Sequence, residues 1–329
     1  MWRSAPIGSR LALVCALAFA FGAIGPAHAQ TYPNKPIKLV VPFGPGGPTD
    51  VSARIVAQVV QSALGQSVVI ENRPGAGGAI GSKSVAGAEP DGHTLLIGTS
   101  ATLGVVPALM KNPGYDPIRS FAPIAKVADS TLVLVAPATF SATSVAEFVA
   151  YAKANPGKLS YASAGVGNQT QLLAELFKSK AGIDVVHVPY KSGAEMVTAI
   201  LGEQVQMAFP DVSILIPLIR EGRLRALAVT SAQRHPQLPD VPTMIESGVP
   251  DYVMTFWSGV VAPSGTPAEI VGKLNAAISD GLRSQAIRDS LAKVGAQADP
   301  GSPQDFAAFI AAETTKWSAV AKISGISLD

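Results

Sequence analysis

Short apolar runs rich in β-branched residues alternate with amphipathic stretches along most of this chain, and the junctions between them constrain the fold more than any single residue does. The clearest junction comes first. Ile37-Lys38-Leu39-Val40-Val41 reads as a buried parallel strand, and it runs directly into the loop Pro42-Phe43-Gly44-Pro45-Gly46-Gly47-Pro48-Thr49-Asp50. Beyond the loop, Val51, Ile55, Val59 and Ala63 recur every fourth residue and Gly65 stands where a helix would stop. Further strands are expected at Val68–Glu71, Leu95–Gly98, Leu132–Ala136, Leu159–Ala162, Val185–Val188, Gln206–Phe209 and Arg225–Val229. Helices are expected between them at Val145–Ala154, Gln169–Lys180, Gly193–Leu201 and Ser213–Glu221. Such alternation implies an α/β fold with mainly parallel sheets.

The end of the chain reads differently. Helices are expected at Pro267–Leu282, Gln285–Val294 and Pro303–Lys322, with little strand signal beyond Tyr252–Ala262. Helices without strands of their own must pack on a sheet made earlier, so the C-terminus is expected to return and cover the first lobe. Two crossings, near Ala125–Thr131 and Asp251–Ser258, would then form a hinge. The expected organisation is residues 30–127 and 254–329 in one lobe and 128–253 in the other.

The first 29 residues combine Arg3 and Arg10, an apolar run from Leu11 to Ile24, and Ala27-His28-Ala29 before Gln30. The run is too short to span a bilayer and ends in small residues, which reads as a secretory signal cleaved near Ala29, so the mature chain is expected to be exported. Cys15 is the only cysteine and lies inside that segment. Val14 before it is too large for a lipidation site. The mature chain would hold neither a disulfide nor a cysteine nucleophile. Cleavage removes two basic and no acidic residues, leaving equal numbers of each from a precursor with 25 basic and 23 acidic side chains. Near-neutral charge argues against nucleic acid as a partner.

Catalytic constellations are sparse. His93, His187 and His235 have no neighbour at metal-ligand spacing, and no G-x-S-x-G elbow is present. The run Gly75-Ala76-Gly77-Gly78-Ala79-Ile80-Gly81-Ser82-Lys83-Ser84 fails as a P-loop because Ser82 separates Gly81 from Lys83. It follows Glu71-Asn72-Arg73-Pro74, read as a turn, and is taken as the start of a helix packed close on the sheet. No enzyme activity, metal or cofactor is expected.

A second loop, Tyr161-Ala162-Ser163-Ala164-Gly165-Val166-Gly167-Asn168, repeats the strand-to-helix pattern. Glycine-rich loops at helix starts let backbone N–H groups approach an anion where the helix dipole is positive. In the first loop Thr49 or Asp50 is expected to cap the helix. Asp211, after the strand ending at Phe209-Pro210, is either a ligand or water acceptor or the cap of the helix from Ser213.

In this order the chain resembles the substrate-receptor family of tripartite tricarboxylate transporters, also called the Bug family. The resemblance rests on Tyr32-Pro33-Asn34-Lys35-Pro36-Ile37, Glu71-Asn72-Arg73-Pro74-Gly75-Ala76-Gly77-Gly78, Pro90-Asp91-Gly92-His93-Thr94-Leu95, Tyr115-Asp116-Pro117, Ala154-Asn155-Pro156-Gly157-Lys158, Val188-Pro189-Tyr190-Lys191 and Leu238-Pro239-Asp240-Val241-Pro242-Thr243. It implies a two-lobed type II periplasmic binding protein fold with a hinge and an interlobe ligand cleft. It also implies a carboxylate ligand held by backbone amides and bridging water, with Phe43, Gly46, Gly47, Pro48 and Thr49 from the first loop and Ser100 and Ala101 after the third strand. Ser163, Ala164, Gly165, Gly167, Asn168, Pro189, Tyr190 and Asp211 would serve from the second lobe.

Gln171 stands where the family often has histidine, and Thr102-Leu103-Gly104-Val105-Val106 is unusually apolar. The expected function is a monomeric receptor that captures a di- or aromatic carboxylate and delivers it to integral-membrane transporter subunits. The alternative is a periplasmic sensor presenting its closed form to a signalling kinase, since fold alone does not separate delivery from signalling.

Overall fold

The computed structural model describes residues 32–328, so the segment read as a secretory signal lies outside the described residues. Eleven strands form two sheets, both within the compact unit that runs from Lys35 onward. The first sheet contains β1 (Ile37–Val41), β2 (Val68–Asn72), β3 (Thr94–Thr99), β4 (Phe121–Thr131), β10 (Thr255–Pro263) and β11 (Ala296–Ala298), in the order β11-β4-β10-β3-β1-β2. The second contains β5 (Val133–Pro137), β6 (Leu159–Ser163), β7 (Val185–Pro189), β8 (Met207–Ala208) and β9 (Leu224–Val229), in the order β7-β6-β8-β5-β9.

The sheets are mixed, which corrects the expectation that they would be mainly parallel. β1 pairs in parallel with β2 and β3, and β6 with β7 and β8. In contrast, β10 runs antiparallel to β3 and β4, and β5 antiparallel to β8 and β9. The antiparallel strands flank the points where the chain changes sheet. A chain that leaves one sheet and later comes back arrives in the opposite sense, which local periodicity does not encode. Similarly, β11 is a three-residue strand on the edge of the sheet, too short for a periodic signal.

The helices are α1 (Pro48–Leu64), α2 (Ala79–Ala86), α3 (Val106–Leu109), α4 (Val145–Ala154), α5 (Gln169–Ala181), α6 (Gly193–Leu201), α7 (Val212–Arg220), α8 (Ala268–Leu282), α9 (Gln285–Ala292) and α10 (Pro303–Ser324). A π-helical turn, Ala101–Val105, leads into α3. Close packing explains the glycine within α2: a Cβ on Gly81 would come within 2.8 Å of the Arg73 carbonyl and 3.0 Å of Pro42 Cα. Glu71 and Asn72 end β2 and do not form the turn expected there.

The chain passes between sheets at Leu132 and again in the segment before β10. Buried Thr230 joins the two passages. Its Oγ1 donates to the Met254 carbonyl at 2.6 Å and accepts from the Leu132 N–H at 3.2 Å, and its own N–H reaches the Leu132 carbonyl at 2.9 Å.

Helix α10 starts with a Ser302–Asp305 capping box and serves both sheets. Near its start, Phe306 and Ile310 pack with Val40, Leu96 and Trp257, while Trp317, Val320 and Ala321 share a core with Leu172, Leu173 and Leu176 of α5. Between these groups lies Glu313, whose carboxylate accepts from the Trp257 indole at 2.8 Å and the Trp317 indole at 3.0 Å, and pairs with Lys316. Among the described residues no helix is long and apolar enough to cross a membrane.

Replacing Glu313 with leucine would strand two buried indole N–H groups and leave Lys316 without its carboxylate. We expect a loss of about 3 kcal/mol in urea unfolding, read as a lower midpoint at unchanged slope. A loss below about 0.5 kcal/mol would show that the indoles find other acceptors.

Candidate functional site

Helix α1 begins two or three residues earlier than its side chains suggested. Its N-cap is Gly47, with no side-chain cap, and Pro48 occupies the first helical position. Proline there has φ already set for the helix and lacks only an N–H that would be unpaired in any case, so it displaces Thr49 and Asp50 from the capping role expected of them. Asp50 instead organises the loop from within the first turn. Its buried carboxylate accepts from the Gly46 N–H at 3.1 Å, Arg54 Nε at 2.8 Å and Asn72 Nδ2 at 3.0 Å. Asn72 Nδ2 also donates to the Phe43 carbonyl at 3.0 Å. Burial pushes the Asp50 carboxyl up, but the bonds from Asn72, Arg54 and Gly46 outweigh it and hold it below the usual range. Gly46 has φ +84°, which explains glycine at that turn.

The second loop is held just as firmly. Asn168 caps α5, its Oδ1 accepting from the Thr170 N–H and Thr170 Oγ1, each at 3.0 Å. Thr170 Oγ1 in turn takes the Ala164 N–H at 2.9 Å, and Gln171 Oε1 takes the Gly167 N–H at 2.7 Å. Gln171 Nε2 donates to His187 Nδ1 at 3.1 Å, and on the opposite side of the ring His187 Nε2 lies 2.6 Å from Ser163 Oγ. The imidazole stacks on Tyr161 with centroids 4.8 Å apart. Several amides of this loop are therefore engaged within the protein, which makes it a rigid wall more than an open amide cradle. Gln171 carries the link between loop and ring.

These loops converge on two cavities. The first, of about 360 Å³, is lined by Pro48, Thr49 and Ser52 of α1, by Ala164, Asn168 and Thr170 of the second loop and α5, and by Asp129, Ser130, Asp211, Ser213, Phe256, Trp257 and Ser258 among others. The second, of about 480 Å³, is lined by Phe43, Ala101, Ala164, Gly167, Asn168 and Phe256 together with mainly apolar residues. Neither lining contains lysine or arginine. Eight of the residues singled out from sequence thus line a cavity: Phe43, Pro48, Thr49, Ala101, Ala164, Gly167, Asn168 and Asp211.

The others do not line either one. Gly46 and Gly47 shape the first loop. Ser163 is fully buried against His187. Ser100 is also fully buried, where it donates to Gln169 Oε1 at 2.7 Å and so joins β3 to α5. Gly165, with φ +125°, turns the second loop. Pro189 is exposed, and Tyr190 packs on the second sheet's core with its hydroxyl 3.3 Å from Gln204 Oε1.

Asp211 both caps and lines. Its Oδ1 accepts from the Ser213 N–H at 2.9 Å at the start of α7, and its Oδ2 accepts from Ser130 Oγ. Sequence reasoning missed Asp129, Ser130, Phe256, Trp257 and Ser258, which reach the cavity from β4 and β10, because strand residues show no loop signature. Asp129 Oδ2 pairs with Lys126 at 2.6 Å, and burial pushes its carboxyl up against that pull. Among the described residues no group of three or more His, Cys, Asp or Glu is placed to hold a metal ion.

Burial holds the His187 value below that of a free histidine, and the Lys178 charge acts in the same direction against Glu175. The folded state thus keeps the ring neutral while the unfolded chain binds a proton below about pH 6.5. More protons bound when unfolded means that stability falls as pH falls through that window. Urea midpoints measured from pH 7.5 to 5 should drop on acidification, and His187→Asn should drop less. Equal slopes would show that His187 does not contribute.

Residues 52–326 match the family described as the tripartite tricarboxylate transporter family receptor. Protein BugT of Bordetella pertussis is 39% identical over 308 residues, covering 93% of this chain and 94% of that protein. The solved structure of the periplasmic binding protein BugD is 36% identical, with a TM-score of 0.74, covering 90% of this chain and 99% of BugD. An R. palustris protein solved with adipate is 38% identical, with a TM-score of 0.77, again covering 90% of this chain and 99% of that one.

Proposed function

The chain belongs to the tripartite tricarboxylate transporter receptor family, and from that premise we propose that it captures a small carboxylic acid in the periplasm and hands it to an integral-membrane transporter of the tripartite type. The family consists of solute-binding receptors, not enzymes, with a two-lobed periplasmic binding protein fold. One lobe is built on the first sheet, with the chain from Ile37 to Thr131 and from Thr255 onward, and the other on the second sheet, from Val133 to Val229, with the ligand between them.

One observation carries the reading: the start of α1 and the start of α5, on different sheets, line the same cavity through Thr49 and Asn168. A helix leaves its first N–H groups without intrahelical acceptors and carries roughly half a positive charge at that end. A ligand carboxylate at the Thr49 end of α1 meets those donors and the nearby hydroxyls of Ser52 and Ser258. Charge-assisted hydrogen bonds shielded from water supply the affinity, and no proton need move. Hinge closure then presents one shape to the transporter. The relative solved with adipate supports a carboxylate as the ligand class.

Thermal unfolding of ligand-stripped protein with mono-, di- and tricarboxylates, sugars and amino acids tests this. A narrow set of acids should raise Tm, by the equivalent of about 2.7 kcal/mol at a hundredfold excess over Kd. Stabilisation by sugars alone, or by nothing in the panel, would sink the proposal.

A further inference from the structure

The second cavity says more about the ligand than the first. Its walls include the side chains of Phe43, Val105, Val106, Met110, Phe256 and Leu328, and no charged residue lines it. The amide of Gln169 is engaged at both ends, Oε1 by Ser100 Oγ at 2.7 Å and Nε2 by the Thr255 carbonyl at 2.9 Å. The Asn168 oxygen serves as the α5 cap.

Ala164, Asn168 and Phe256 line both cavities, so the two adjoin across these residues and the second lies next in line for a ligand anchored near Thr49. Leu328 forms one of the walls there. Its N–H donates to the Leu109 carbonyl at 3.0 Å, and its side chain lies so close to Gly167 that a Cβ on that glycine would come within 2.6 Å. The segment after α10 is thus fixed between α3 and the second loop.

We propose that the second cavity is the subsite for the far end of the ligand, and that the receptor selects an acid with one carboxylate and an apolar body over a diacid of equal length. Leu328 is the wall that limits this body. The inference rests on the receptor reading above and narrows it. A second carboxylate in this cavity would lose water without meeting a cation, whereas a methylene chain or ring would gain by leaving water. The chain would then differ in selectivity from its relative solved with adipate.

Calorimetric titration of the purified, ligand-stripped protein with butanoate, hexanoate, octanoate, benzoate and adipate decides the matter. Hexanoate should bind at least about tenfold tighter than adipate, the cost of one poorly paired buried charge. From butanoate to hexanoate, affinity should rise about fourfold per methylene. Leu328→Ala should move the preferred length towards octanoate. Leu328→Lys, which sets an ammonium in the cavity, should shift preference towards adipate. Adipate binding as tightly as hexanoate to the unaltered protein, or butanoate and hexanoate binding equally, would overturn the inference and leave the receptor reading standing. If no acid binds, the receptor reading fails first and the inference with it.

Discussion

A single buried hydroxyl ties together the two passages on which this architecture depends. Thr230 Oγ1 bonds to Met254 on the returning segment and Leu132 on the outgoing one, where the chain changes sheet. Helix α10 adds a second tie some distance away, since its residues pack into cores belonging to both sheets and its Glu313 gathers two indoles around one carboxylate. The first cavity is lined by neighbours of both ties, Leu132 and Phe256 at the passages and Trp257 beside Glu313.

The electrostatics of the cleft rest on few charged side chains. No lysine or arginine lines it, and its two carboxylates, Asp129 and Asp211, are committed to Lys126 and to Ser130 and Ser213. Positive potential comes from helix ends, which are fixed dipoles and need no side chain to be ordered on binding. The loops that present those ends are braced from behind, by Asp50 and Asn72 in one case and by Thr170, Gln171 and His187 in the other. A prearranged wall loses little entropy when a ligand arrives. Selectivity falls to the remainder of the lining, which in the second cavity is apolar.

Much of this was legible in the residues. The β1 run, its glycine-rich loop and the spacing of α1 stand out because strand, turn and helix each carry their own periodicity there, and the same holds at β6 and α5. The helix start at Gly47 was not legible, because a capping side chain and a proline compete for the position and proline prevails. Ser100 and Ser163 match the family's pattern yet point into the protein, and no one-dimensional pattern tells a hydroxyl facing a ligand from one facing a glutamine or histidine. Asp129, Ser130 and Phe256 sit on strands, where alternation marks two faces but not which end opens on a cavity. Leu328 lies far from every motif, and only the path of α10 brings it to the second loop.

The most direct test of the account is an amide NMR titration of isotopically labelled protein with hexanoate. The account requires the largest shifts at the backbone N–H groups of Thr49, Asp50, Ala164 and Asn168, with contacts from the acid's methyl end to Met110 and Leu328. Shifts confined to the outer faces of the sheets, or none at millimolar acid, would contradict it.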